Sequence, residues 1–368
     1  MQNKLVICLF GDYDPNYSRQ VVIKRGLEKN GIKVLECNCF LKHSNSKYFQ
    51  IYNKPLYLIK AYSNLLRKFQ KIDKTFSFFI VTHNNYLIAP LVFFLAKRYN
   101  KKFILDAFDP AYLTAQMKHS SVPRCFFIKL IENIALKLPH YILVTTEEFK
   151  KLYLDIYNLN PKKFIILPVG ANEDKFYPRG KVKNDSIFRV IYWGNFHPHH
   201  GVDIIIEAAQ RVQNHKEIKF ILVGGSKYLS SYQKMAGKMR LKNIEFIGRV
   251  SDKMLIDYIK NADVCLGIFS SHKLALASVT NKVFEGMAMG KPVITERNLV
   301  TSSWFTNRKE TYLVPPEDSR ALAEAVLELR NNEILRHEIS RKAAKLFHER
   351  FSEKVIGKTF SKFLKNNN

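Results

Sequence analysis

Ser278-Val279-Thr280-Asn281-Lys282-Val283-Phe284-Glu285-Gly286-Met287-Ala288-Met289-Gly290-Lys291-Pro292-Val293-Ile294 decides how this chain is read. Thr280 or Asn281 is a good cap for a short helix over 281–289. Gly290 then turns the chain into a buried strand over 292–294, one step of a parallel α/β sheet. The first amides of such a helix attract anions. Lys282 puts a positive charge in the first turn, where the helix dipole disfavours it unless an anion is bound. The stretch therefore points to a bound diphosphate. Glu285, one turn on, is placed to take two ribose hydroxyls; the competing reading is a solvated helical acid.

The same rhythm extends in both directions. Apolar runs at 5–10, 33–37, 77–82, 103–106, 141–144 and 164–167 read as strands, with helices at 18–29 and 88–99. Residues 168–187 are polar and turn-rich and read as a linker. A second series follows, with strands at 188–192, 219–223, 244–247, 264–268, 292–294 and 311–314. Helices are expected at 202–212, 322–330 and 334–347, and a basic helix at 351–363. Strands alternating with helices imply an α/β protein of two Rossmann-like, doubly wound domains, with ligands at the strand C-terminal edges facing a central cleft.

The chain has 368 residues, enough for two domains. Its 59 Lys and Arg against 32 Asp and Glu give a net charge of +27. That balance favours an anionic partner. Residues 42–74 are the densest basic patch, and they interleave aromatics with lysines; this suits an anionic membrane surface or, equally, a solvated helix face. No nucleic-acid recognition module accompanies the charge. Cys8, Cys37, Cys39, Cys125 and Cys265 have no metal-ligand spacing and read as buried free thiols. No apolar run approaches the ~20 residues of a membrane span, so a cytoplasmic or peripheral chain is expected.

Gly11-Asp12-Tyr13-Asp14-Pro15 follows the first strand, where a glycine lets backbone approach a phosphate or sugar, or simply makes a turn. Asp106 and Asp109 stand at a strand end, suited to accept an acceptor hydroxyl proton. Asp109-Pro110 also reads as a helix cap. His197, His199 and His200 lie in the loop after the strand at 188–192; their spacing is loop-like, and no metal site is expected.

Taken in order, these segments resemble glycosyltransferase family 4, of the GT-B fold. The resemblance rests on His200-Gly201-Val202-Asp203 with Glu207-Ala208, on Leu222-Val223-Gly224-Gly225, on Ile244-Glu245-Phe246-Ile247-Gly248, on Ala262-Asp263-Val264 and on Glu285 to Ile294. It implies an acceptor-binding domain over 1–180, a donor-binding domain over 181–350, and a basic helix over 351–368 packing back on the first. The implied reaction moves a sugar from a nucleotide-diphosphate donor, with retention, to a lipid-linked or anionic saccharide acceptor at the inner face of the cell membrane. Neither a cofactor nor an obligatory metal is implied. Donor contacts are expected from Gly11, Gly194, Asn195, Gly224, Thr280, Asn281, Lys282 and Glu285, and catalytic roles for Asp106, Asp109 and His200. Asn195 and His200 stand where the family commonly carries an Arg and a Lys on the diphosphate. Ala277 stands where its acid pair begins. These departures motivate an alternative, a GT-B binding or scaffold protein without sugar chemistry.

Overall fold

The computed structural model describes residues 5–40, 55–83, 85–118, 120–180 and 185–368. Part of the basic patch, 42–54, lies outside the described residues. Among them the chain divides into two compact units, Met1–Pro168 with Glu353–Asn368, and Val169–Ser352.

In the first unit, β1 (Val6–Gly11), β2 (Lys33–Asn38), β3 (Phe78–Val81), β4 (Lys102–Asp106), β5 (Tyr141–Val144) and β6 (Phe164–Ile166) form a parallel sheet in the order β2-β1-β3-β4-β5-β6. The helices between them are α1 (Ser18–Lys29), α2 (Pro55–Gln70), α3 (Ala89–Arg98), α4 (Ala111–Met117), α5 (Val122–Lys137) and α6 (Glu147–Ile156). Strands covered on both faces need unbroken apolar runs, and β3, Phe-Phe-Ile-Val, is buried at every position.

The second unit repeats the plan. Its strands are β7 (Phe188–Gly194), β8 (Ile218–Gly224), β9 (Ile244–Gly248), β10 (Val264–Leu266), β11 (Val293–Glu296) and β12 (Tyr312–Val314), in the parallel order β12-β11-β10-β7-β8-β9. Its helices are α7 (Val202–Arg211), α8 (Leu229–Lys238), α9 (Asp252–Asn261), α10 (Lys273–Leu276), α11 (Asn281–Ala288), α12 (Leu299–Trp304), α13 (Ser319–Asn331) and α14 (Glu333–Leu346). Both sheets reverse order beside their first strand, β1 and β7, which places the ligand-binding edge of each sheet at the C-terminal ends of those strands. Two Rossmann-like domains, the expected fold, are therefore present. No helix among the described residues is long and apolar enough to cross a membrane.

The last helix, α15 (Glu353–Asn366), returns to the first unit. Ile356, Phe360 and Leu364 enter that unit's core at helical spacing. Glu353 is fully buried and takes Lys29 Nζ at 2.7 Å. Gly26 and Gly357 let α1 and α15 touch backbone to backbone. A Cβ at Gly357 would lie 2.0 Å from the carbonyl carbon of Gly26. Overpacking of this kind costs roughly 1–3 kcal/mol or more. Gly357→Val is therefore expected to detach α15, with faster amide exchange across α1 and α15 and early proteolysis near Ser352. Unchanged exchange in both helices would show that the contact is not needed.

Candidate functional site

The site is built at the C-terminal edge of the second sheet. β7 is buried up to Trp193 and emerges at Gly194, where the backbone takes φ 126°. Its neighbour Gly224 takes φ 113°, and a Cβ there would lie 2.2 Å from the Gly194 carbonyl oxygen. Only glycine fits at that position. The two strand ends thus leave bare backbone at the mouth of the sheet.

Helix α11 starts beside this mouth and is buried from Lys282 to Ala288. Thr280 caps it by backbone geometry alone, without a side-chain hydrogen bond, and its Oγ1 is enclosed with no partner among the described residues. Asn281 follows as the first helical residue. The Lys282 ammonium lies 5.1 Å from the centroid of the Tyr192 ring, and a methyl added at Gly194 would stand 3.9 Å from it. Lys282 is 6% exposed, and its ammonium makes no hydrogen bond or ion pair to the described residues. Burial pushes its pKa down to about 8, against the upward pull of Glu285. Glu285 is held one turn on, where its Oε2 accepts the Trp193 indole N–H at 2.8 Å.

The loop after β7 completes the group. The His200 Nδ1 and the Tyr192 hydroxyl lie 2.7 Å apart. Burial, then the positive charge of Lys282, then His199 and His197, hold His200 well below the usual imidazole range, so the ring is neutral at pH 7. Asn195 Oδ1 accepts from Arg249 Nη2 at 3.4 Å, and the same guanidinium reaches Gly225 O at 3.3 Å. Arg249 follows the glycine that ends β9, and the sequence reading gave it no role. It brings a second cation to the strand edge. Gly194, Asn195, His200, Gly224, Thr280, Asn281, Lys282 and Glu285 are thus gathered in one unit. Among the described residues no group of three or more His, Cys, Asp or Glu is arranged to hold a metal. The rings of His197, His199 and His200 pack on one another instead.

Glu296, at the end of β11, was also not singled out from the sequence. It is fully buried, its Oε2 has no partner among the described residues, and burial raises its pKa to about 8. Asn298 Nδ2 links its Oε1 at 3.1 Å to the carbonyls of Ala275 and Ser278, flanking Ala277.

The remaining expectations fall in the first unit. Asp106 has no freedom to take a proton from a substrate. Its two oxygens accept from Arg19 Nη2 at 2.9 Å and Nε at 3.2 Å, and both side chains are fully buried. Arg19 Nη1 also donates to Leu167 O and Pro168 O. The pair fastens the chain end of the unit to its sheet, so the catalytic reading of Asp106 is withdrawn. Asp109 has the opposite outcome. It does not cap α4: the amides of Ala111 and Tyr112 are taken by the Glu132 carboxylate of α5 at 2.7 and 2.9 Å. The half-buried Asp109 carboxylate makes no hydrogen bond to the described residues, and burial raises its pKa to about 7. His83 is buried nearby, stacked on Tyr17 at 4.6 Å and 5.7 Å from Phe108. Gly11 ends β1, crowded by Thr82 and Asn85, and Asn85 Oδ1 accepts from the Asp12 amide. It stands apart in sequence and unit from the other expected donor contacts.

Residues 173–346 match the family model "Glycosyl transferases group 1". The O-antigen chain mannosyltransferase C of Escherichia coli is 25% identical over 240 residues, which cover 61% of this chain and 58% of the relative. The chain thus spans little more than half the length of that curated relative. Among solved structures, sucrose-phosphate synthase from Thermosynechococcus elongatus superimposes with a TM-score of 0.72 at 16% identity, covering 99% of each chain. The Anabaena protein HepE in complex with UDP-glucose gives 0.69 at 14% identity, covering 98% of this chain and 99% of that one. These two likenesses establish the shared GT-B fold.

Lys282 yields a stability prediction. Its folded pKa, about 8, lies below the ordinary 10.5. Below pH 8 both states are protonated and burial of the charge costs the folded state about 3 kcal/mol. Between the two values only the unfolded chain holds the proton, so the cost fades as pH rises. Lys282→Met should therefore melt higher than the native chain at pH 7, with the difference shrinking between pH 8 and 10.5. A destabilised Lys282→Met protein at pH 7 would contradict the buried-cation description.

Proposed function

We propose that this chain is a glycosyltransferase that moves a sugar from a nucleotide-diphosphate donor to a saccharide or glycolipid acceptor, with retention. The observation that carries the reading is the buried, unpaired ammonium of Lys282 at the N-terminus of α11, inside the residues that match the group 1 model. A diphosphate placed there completes Lys282, meets the free amides of the helix start and lies within reach of Arg249. The bare backbone at Gly194 leaves room for it, and Gly224 lets the two strand ends close on each other. Glu285, oriented by Trp193, takes the ribose, and the Thr280 hydroxyl takes a phosphate oxygen. Neutral His200 gives its Nδ1 proton to the Tyr192 hydroxyl, which itself donates to Asn195 O, and its other nitrogen accepts from a hydroxyl of the donor. As the bond to the sugar breaks, negative charge grows on the leaving diphosphate, where Lys282 and the helix amides stabilise it. No metal or cofactor is assigned a step.

Asp109 is the group that accepts the acceptor's hydroxyl proton, since its carboxylate is uncommitted and its pKa of about 7 suits proton transfer at neutral pH. The O-antigen name of the curated relative and the UDP-glucose of the HepE complex favour a polysaccharide or glycolipid acceptor and a uridine donor. The proposed location is the inner face of the cell membrane, where the basic patch meets anionic lipid. Part of that patch is α2, which exposes Leu56, Ile59, Lys60 and Arg67.

Two measurements test the proposal. Calorimetric titration with UDP should show binding that Lys282→Met weakens by about ten- to a hundredfold, the worth of one charge-assisted contact. Unchanged affinity would remove the diphosphate from α11. The pH profile of kcat/KM for the donor should rise through about 7 as Asp109 ionises and fall through about 8 as Lys282 of the donor-free protein loses its proton. Asp109→Asn should remove the rising limb, lower kcat by about a hundredfold and leave UDP binding intact. A rising limb that survives this substitution would exclude Asp109 as the base.

A further inference from the structure

Helix α5 is apolar on both sides. Cys125, Ile128, Ala135 and Leu136 pack inward, and the helix's acid, Glu132, is buried and bound to α4 and to Tyr157. The outward side carries Val122, Phe126, Phe127, Leu130 and Ile134, exposed by 82, 69, 53, 45 and 49%. At about 100° per residue they span an arc of roughly 140°. A helix on a water-facing surface carries polar residues there; an exposed arc whose polar members are Asn133 and, at its end, Lys137 marks a surface that meets something else.

The rim states what that is. Arg124 and Lys129 flank the arc on its two sides, and Lys137 stands exposed at its C-terminal end. Lys163 Nζ donates to Lys137 O at 3.4 Å and to Pro139 O at 2.9 Å, adding a fourth cation at that end. No acid lies on the outward side of α5. A second copy of this chain, with its net charge of +27, would bring a like-charged rim against this one. An anionic lipid surface offers both complements, acyl chain for the rings and phosphate for the lysines.

We propose that α5 lies in the interfacial layer of an anionic bilayer, with Phe126, Leu130 and Ile134 among the acyl chains and Lys129, Lys137 and Lys163 among the headgroup phosphates. The inference rests on the proposed membrane contact and gives it an apolar anchor outside 42–74.

The test is flotation of the full chain with vesicles of phosphatidylcholine, with and without phosphatidylglycerol. Phe126→Ser with Leu130→Ser should lower partition onto the anionic vesicles by roughly a hundredfold and leave UDP binding unchanged. Because the five native cysteines are buried, a Phe126→Cys variant can be labelled with an environment-sensitive fluorophore. Its emission should shift to the blue on anionic vesicles. Partition that survives the double substitution but is lost when Lys60, Arg67 and Lys68 are replaced would overturn the role of α5 and spare the membrane reading. Absence of vesicle binding by the native chain, with UDP still bound, would overturn both membrane statements and spare the donor site. A lipid-free dimer that the double substitution disperses would assign α5 to a second copy and overturn the proposal.

Discussion

The second unit holds one buried charge without a hydrogen-bonded or ion-paired partner among the described residues. Lys282 is buried in the first turn of α11, where the helix dipole opposes it, and no carboxylate of the described residues pairs with it. The ammonium rests against the face of Tyr192 and looks out past Gly194, which has no side chain to cover it. Glu285, the acid nearest in the helix, is turned to Trp193. A buried cation that costs stability persists in a fold where an anion completes it. The loop after β7 obeys the same constraint: His200 stays neutral partly because Lys282 is charged beside it.

Much of this was legible in the sequence, for a physical reason. Parallel strands covered on both faces must be continuous apolar runs, so the strand rhythm of both units could be followed along the chain. The sign of Lys282 at a helix start is a local fact that needs no tertiary contact to be noticed. What remained hidden depends on pairings distant in sequence. Arg19 and Asp106 are 87 residues apart, and nothing near Asp106 warns that its carboxylate is already engaged. Asp109-Pro110 has the form of a helix cap, yet Glu132 of α5 supplies the capping oxygens and leaves Asp109 unused. Arg249 lies after a glycine at a strand end, and only the sheet order carries it to Asn195. Helix α5 gives no amphipathic signal because both of its sides are apolar.

The two units use their charge differently. In the first, the buried carboxylates of Asp106 and Glu353 are paired with Arg19 and with the more exposed Lys29, while the buried Glu132 is held by two amides and a tyrosine hydroxyl. Such pairs fix geometry more than they add stability. In the second, the decisive cation is interior and unpaired, which is what a site for a diphosphate requires.

Proton uptake on ligand binding tests this account most directly. Calorimetric titration of UDP near pH 8, repeated in buffers of different ionisation enthalpy, reads the protons exchanged. A diphosphate beside Lys282 raises that lysine's pKa from about 8, so the complex should take up a proton that the Lys282→Met protein does not. Binding with no net proton uptake, equal in both proteins, would contradict it.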